Sequence, residues 1–199
     1  DIFFDTFGLD GRWGNNTISG HWRRVFSERL VGNFLIANSN FRTMFGLGGD
    51  GGLVNDNIID DQTISGDFSW FKSSDATLKF GLQHKVLGFE YFSKFQDSVA
   101  FKIKNAPVEV GAYLKMKYKY NEILIMEPGI RMNYYNIYPD SLYPDLRFGL
   151  KYLLTDDRYI NLSVGNYHQF ISTFQDDFNP SILDNWIAVD SSLAPGKST

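Results

Sequence analysis

Cysteine is absent from the 199 residues, which removes disulfides, thiolate metal sites and cysteine nucleophiles together. Nor is there an apolar run near the roughly 18 residues that a membrane-spanning helix needs. A membrane barrel stays open, because its strands carry only short alternating signals. Basic excess is missing too: 19 Lys and Arg stand against 23 Asp and Glu, so no nucleic-acid partner is expected. Histidine is scarce, and His21, His84 and His168 show no ligand spacing. Gly46 to Gly52 is glycine-rich but lacks the Lys-Ser/Thr ending of a phosphate loop. The paired acids Asp60-Asp61, Asp156-Asp157 and Asp176-Asp177 read as polar turn or strand-end residues. No catalytic, cofactor-binding or metal-ligating residue is therefore expected, no cofactor is implied, and the chain does not read as an enzyme.

What the chain has in quantity is aromatic residues, with 18 Phe, 11 Tyr and 4 Trp at a mean hydropathy of only -0.24. An apolar share of 43% is too high for a disordered chain. The organising signal is alternation with a period of two, the signature of strands with two unlike faces. In Val108 to Tyr120 the even positions are Val108, Val110, Ala112, Leu114, Met116, Tyr118 and Tyr120, opposed by Glu109, Gly111, Tyr113, Lys115, Lys117 and Lys119. Leu124 to Tyr134 repeats the pattern, as do Leu146 to Tyr152, Ile160 to Val164, Leu78 to Val86 and Ile64 to Trp70. Shorter versions surround Phe7 to Trp13 and Ile18 to Arg23, while Leu30 to Phe45 carries apolar residues on both parities and leaves its register open. No useful stretch shows helical periodicity.

Connections alternate in length. Phe26 to Arg29, Ser73 to Ala76, Tyr120 to Glu122 and Thr155 to Arg158 read as tight turns. Gly46 to Asn57, Ser93 to Pro107, Asn136 to Asp145 and Ile171 onward read as long, irregular loops, with Asn15-Asn16 as a short member of that second set. Short turns at one end and long loops at the other are the rhythm of an outer-membrane barrel. Trp13, Trp22, Phe26, Phe45, Trp70, Phe71, Phe92, Tyr118, Tyr120, Tyr134 and Tyr135 gather towards strand ends, where two interfacial girdles would want them. The small residues Gly81, Gly111, Gly129, Gly149 and Gly165 share the polar parity and leave room on that side. So do the charges Lys79, Lys85, Glu109, Lys115, Lys117, Lys119, Arg131, Arg147 and Lys151, the candidate lumen-facing set. His84 departs from the rule on the apolar parity: either its strand has left the bilayer there or a bulge resets the alternation. Pro128, lacking a ladder donor, is a second departure.

Trp22 to Leu30, Leu78 to Gly81, Met126 to Tyr135 and Pro144 to Asp157 resemble consecutive barrel strands of TonB-dependent outer-membrane receptors, in a style closest to those of the Bacteroidota. Tyr159 to Phe170, followed by Asp184 to Ile187, resembles the next stretch. The resemblance implies an all-β fold, an antiparallel transmembrane outer-membrane β-barrel. Residues 1–199 would be an internal piece of about nine or ten strands from one barrel domain of about 22 strands, with the plug and the C-terminal strands outside it. It also implies energised uptake of a scarce, bulky ligand such as a siderophore, cobalamin, glycan or peptide. Its partners would be outer-membrane lipid, a TonB-type motor acting through the plug, and a surface lipoprotein. The residues alone leave two alternatives open, an outer-membrane structural or pore-forming barrel without TonB coupling and a soluble all-β binding module.

Overall fold

The computed structural model describes residues 2–4, 8–49, 51–96, 98–137, 142–155, 157–174, 185–190 and 192–199. Phe7, Asp156, Asp176, Asp177 and Asp184 lie outside them. Ten strands form one sheet: β1 (Ile2–Phe4), β2 (Leu9–Ser27), β3 (Leu30–Leu47), β4 (Leu53–Phe71), β5 (Ala76–Phe95), β6 (Ser98–Asn105), β7 (Val108–Tyr120), β8 (Leu124–Tyr135), β9 (Leu142–Leu153) and β10 (Tyr159–Gly165). Neighbours follow chain order and every pairing is antiparallel, with β6 and β7 both on β5. Those two are consecutive lengths of one course, since Asn105 opposes Phe89 and Val108 opposes Val86. Pro107 has no N–H to give, but its carbonyl still accepts from Leu87 at 2.9 Å.

From β2 to β10 the pairing preserves parity, save for register shifts between Val25 and Ser27 on β2 and between Ser93 and Lys94 on β5. Trp22 faces Phe34, Phe34 faces Gly66, Gly66 faces Leu82, Leu82 faces Ala112, Ala112 faces Met132 and Met132 faces Pro144. Directly opposed residues point the same way, so even-numbered side chains share one face and odd-numbered ones the other. Towards the tight turns the even face is apolar and bare: Leu82 is 64% exposed, Leu146 59% and Trp22 55%. The odd face there is polar.

Towards the opposite end the polarity changes sides while the parity does not. Above the row Ile36–Ile64–His84, the even face becomes Asn38, Gln62, Asn40, Asp60, Arg42 and Asp56. Asn40 donates to Asp60 at 2.6 Å, Arg42 pairs with Asp56, and Glu90 takes Lys102 at 2.8 Å and Lys104 at 3.3 Å. The odd face gains an apolar patch, Ile59, Leu87 and Phe89, beside the buried polar side chains of Asn55, Asn57 and Thr63. A second group, Tyr135 and Tyr143, continues it on β8 and β9.

These odd-face residues are covered by the chain after β10. Asn166 breaks that strand, its amide bonding Leu146 N–H at 2.9 Å and Pro144 C=O at 3.1 Å. Beyond it lie β11 (Tyr167–Gln169), β12 (Ile171–Phe174), β13 (Asn185–Ala188) and β14 (Gly196–Ser198), paired as β11 with β14 and β12 with β13. Ala188, Ile171 and Trp186 pack on Leu87, Phe89 and Ile59, and Phe170 and Val189 on Tyr135 and Tyr143. Leu87 is left 1% exposed and Tyr135 0%. Each such side chain contributes about 1.5–3 kcal/mol by leaving water. We call this face inner and the even face outer.

Several expectations change. Tyr159 to Gly165 is a wall strand, but the following stretch folds onto the inner face instead of extending the wall. Gly46 to Asn57 and Ser93 to Pro107 are mostly long strands, joined through short connections after Leu47 and Phe95. Asn15-Asn16 is no connection: β2 runs through it, and Asn15 Oδ1 accepts from the hydroxyls of Thr17 at 3.3 Å and Ser39 at 3.1 Å. Of the proposed girdle, Trp22, Phe26, Trp70, Tyr118, Tyr120 and Tyr134 are on the outer face, whereas Phe45 and Tyr135 turn inward and are buried. Both odd cases resolve. No register shift occurs around His84, so it marks the upper edge of the apolar band, and at Pro128 the ladder to β7 lapses between Lys115–Gly129 and Tyr118–Met126 while that to β9 continues.

Candidate functional site in the inner wall

Odd parity delivers every one of the expected charges to the inner face: Lys79, Lys85, Glu109, Lys115, Lys117, Lys119, Arg131, Arg147 and Lys151. Five of these nine are in ion pairs, which tie adjacent strands or, for Arg147, lie within one. Lys85 reaches Asp61 at 3.3 Å, Lys115 pairs with Glu127, Arg131 lies 3.6 Å from Glu109 and Arg147 3.7 Å from Asp145. Lys151 instead sits 3.8 Å over the ring of Tyr159. Lys79 and Lys117 are exposed and face no carboxylate in ion-pair reach among the described residues.

The centre of the face is a polar network that passes over glycines. Tyr113 on β7 donates to Asp67 Oδ1 on β4 at 2.7 Å, across β5, because Gly81 lies between them. A methyl group on Gly81 would sit 2.7 Å from both Asp67 Oδ1 and Tyr113 Cε1. Arg131 on β8 crosses Gly111 in the same manner, donating to Gln83 at 2.9 Å and to Asn133 at 2.6 Å. Asn133 in turn donates to Asp145 Oδ2 at 3.2 Å. Asp145, 1% exposed, has His168 Nδ1 2.6 Å from its other oxygen. One continuous set of contacts thus links β5, β7, β8 and β9 to the folded-in β11.

Beside it, Gly129 and Gly149 thin the wall over a concavity of about 450 Å³ whose inner-face rim includes Tyr113, Lys115, Glu127, Arg131, Arg147 and Tyr167. Arg147 lies 4.5 Å over the Tyr167 ring. Chemically this surface can hydrogen-bond and pair with the termini, amides and acidic groups of a polar ligand. No group of three or more His, Asp or Glu side chains gathers as a metal site among the described residues.

Sequence reasoning found the charges and the glycines but not Asp67, Gln83, Asn133, Asp145 and His168. The available signal was a bulky polar residue on the polar parity with a glycine on the next strand. His168 carried no such signal, because its place depends on the turn at Asn166.

No protein-family model and no curated protein matches the sequence. Solved structures do resemble it, two of them as follows. The RagAB peptide transporter is similar over 96% of this chain and 28% of its own, at 7% identity and a TM-score of 0.56. The RagAB peptide importer in the closed-closed state is similar over 98% of this chain and 28% of its own, at 7% identity and a TM-score of 0.52. The chain thus spans little more than a quarter of the proteins it matches. At that identity the likeness establishes the fold, an antiparallel section of an outer-membrane barrel wall.

Proposed function

We infer that the chain is a section of wall from an outer-membrane uptake transporter of the TonB-dependent class, non-enzymatic, with its inner face turned to a ligand pathway. The observation that carries this is the exchange of polarity between faces at constant parity. An outer face that is apolar for part of each long strand and charged above it suits a wall that crosses a bilayer and continues into water. A soluble sandwich would bury its apolar face against a second sheet, and here Ile36 and Ile64 remain 61% and 57% exposed.

The tight turns at Glu28-Arg29 and Asn121-Glu122 are then periplasmic, and β12 and β13 fill the extracellular mouth. The neighbours' peptide transport favours a peptide over a siderophore, cobalamin or glycan. It also favours the receptor assignment with a motor coupling through a plug and a surface lipoprotein as lid. Outer-membrane fractionation and heat-dependent gel migration of the full-length protein test the membrane assignment, and a protein soluble without detergent overturns it. Uptake of a labelled oligopeptide by cells producing the full-length protein should stop when the inner-membrane motor is deleted. Uptake that persists makes it a passive pore.

A further inference from the structure

The outer face carries one feature that a plain lipid-facing wall does not need. Arg24 lies on the even parity opposite Gly32, with its guanidinium carbon 5.8 Å from the Trp22 ring centre and 5.2 Å from that of Phe26. It has no carboxylate in ion-pair reach among the described residues. A cation left unmatched in hydrocarbon is costly, and a long side chain escapes by reaching towards the headgroups. The planar guanidinium suits a phosphate, which it binds with two parallel hydrogen bonds.

The same neighbourhood holds a ridge and a hollow. Trp22 stacks on Phe34 at 5.1 Å, Phe34 meets Phe68 edge-on at 5.6 Å, and Phe68 stacks on Phe80 at 5.3 Å. Beside these rings the wall drops at Gly66 and Ala112, opening an apolar hollow of about 690 Å³ between Phe34, Ile64, Phe80 and Leu82. Phe34 borders the hollow and stacks on Trp22, so the hollow begins where the Arg24 cluster ends.

We propose that this part of the outer face is a binding site for one glycerophospholipid of the periplasmic leaflet, with its phosphate on Arg24 and an acyl chain in the hollow over Gly66. The site rests on the membrane reading above. Charge complementarity selects the occupant: an unpaired cation beside an apolar hollow matches an anionic headgroup on a hydrocarbon tail. Trp22 and Phe26 hold the guanidinium from either side, and the glycine supplies the depth.

The test uses the full-length protein, extracted from outer membranes, delipidated in mild detergent and titrated with dioleoyl phosphatidylglycerol under native mass spectrometry. One lipid should be retained preferentially. Arg24→Gln should lower that retention roughly tenfold, and Ala112→Phe, which fills the hollow without touching the cation, should lower it as well. Dioleoylglycerol, which lacks the phosphate, should not be retained, and inorganic phosphate should not compete. Retention unchanged in both variants, in protein that still fractionates with the outer membrane and still shifts on heating, overturns the site while the transporter reading stands. Protein that needs no detergent at all overturns both.

Discussion

Gly81 and Gly129 both face inward, yet a methyl group would meet different neighbours at the two. At Gly81 it would press on Asp67 Oδ1, Tyr113 Cε1 and the Gly66 carbonyl at 2.7–2.8 Å, and the backbone contact cannot move aside. At Gly129 the nearest atoms, Leu114 O and Lys115 Cβ and Cγ, are at ordinary distances of 3.5–3.6 Å. Gly81→Ala should therefore cost about 1–3 kcal/mol through overpacking, with loss of the Tyr113–Asp67 bond, whereas Gly129→Ala should be neutral or slightly stabilising. The temperature at which the full-length protein loses its heat-shifted gel band measures both, and equal effects would refute the pass-over role of Gly81. Both glycines were visible in the sequence as small residues on the polar parity. Their inequality was not, because it depends on which residues of β4 and β7 the register sets beside them.

At the scale of elements, the strand extensions beyond His84 depend on polar cross-strand pairs instead of lipid. Hydrogen bonds first from Lys102 and then from Lys104 hold the Glu90 carboxyl below the usual carboxylate range. A group whose folded pKa is depressed stabilises above its unfolded value, near 4.3, and the contribution disappears as pH falls through the depressed one. Hydrogen exchange of β5 and β6 above Phe89 should thus quicken as pH drops below about 4.3, after correction for intrinsic rates. Glu90→Gln should remove that pH dependence; its persistence would exclude Glu90 as the cause. The extensions were also the least legible elements. Gly46 to Asn57 is dense in Gly, Asn and Asp, which ordinarily means loop, but Asn55 to Asn57 lie in a paired strand, with Asp56 on the outer face bound to Arg42 and Asn55 and Asn57 buried on the inner one. Leu30 to Phe45 was ambiguous for a related reason: Phe34 and Ile36 are apolar towards lipid, while Phe41 and Phe45 are apolar towards the interior. By contrast Val108 to Tyr120 stays within one environment and showed its pattern plainly.

For the molecule as a whole, the inner wall and the segment that covers it are held by few contacts. Leu87 and Phe89 meet Ala188 and Trp186, Asn57 Nδ2 donates to the Trp186 carbonyl at 3.1 Å, and Tyr135 Oη donates to Val189 O at 2.7 Å. Leu87→Asp would place a carboxylate at a site 1% exposed, which costs several kcal/mol if the cover stays in place. The expected outcome is release of β12 and β13, read as rapid exchange at residues 186–189, with the wall strands still protected. Loss of protection throughout the sheet would show that cover and wall fold as one unit. None of this covering was readable beforehand, since Trp186 and Ile187 look like any strand fragment until the chain turns inward at Asn166.

The exchange of polarity between faces also bears on how such a wall finds its pairing during assembly. A slip of two residues between neighbouring strands keeps every side chain on its own face and nearly every backbone hydrogen bond, so alternation alone cannot detect it. With the crossover level written into β3 and β4, the same slip carries Asn38 or Gln62 down among the acyl chains. The row Ile36–Ile64–His84 thus works as a depth gauge, setting how far each strand is inserted as well as which way it faces.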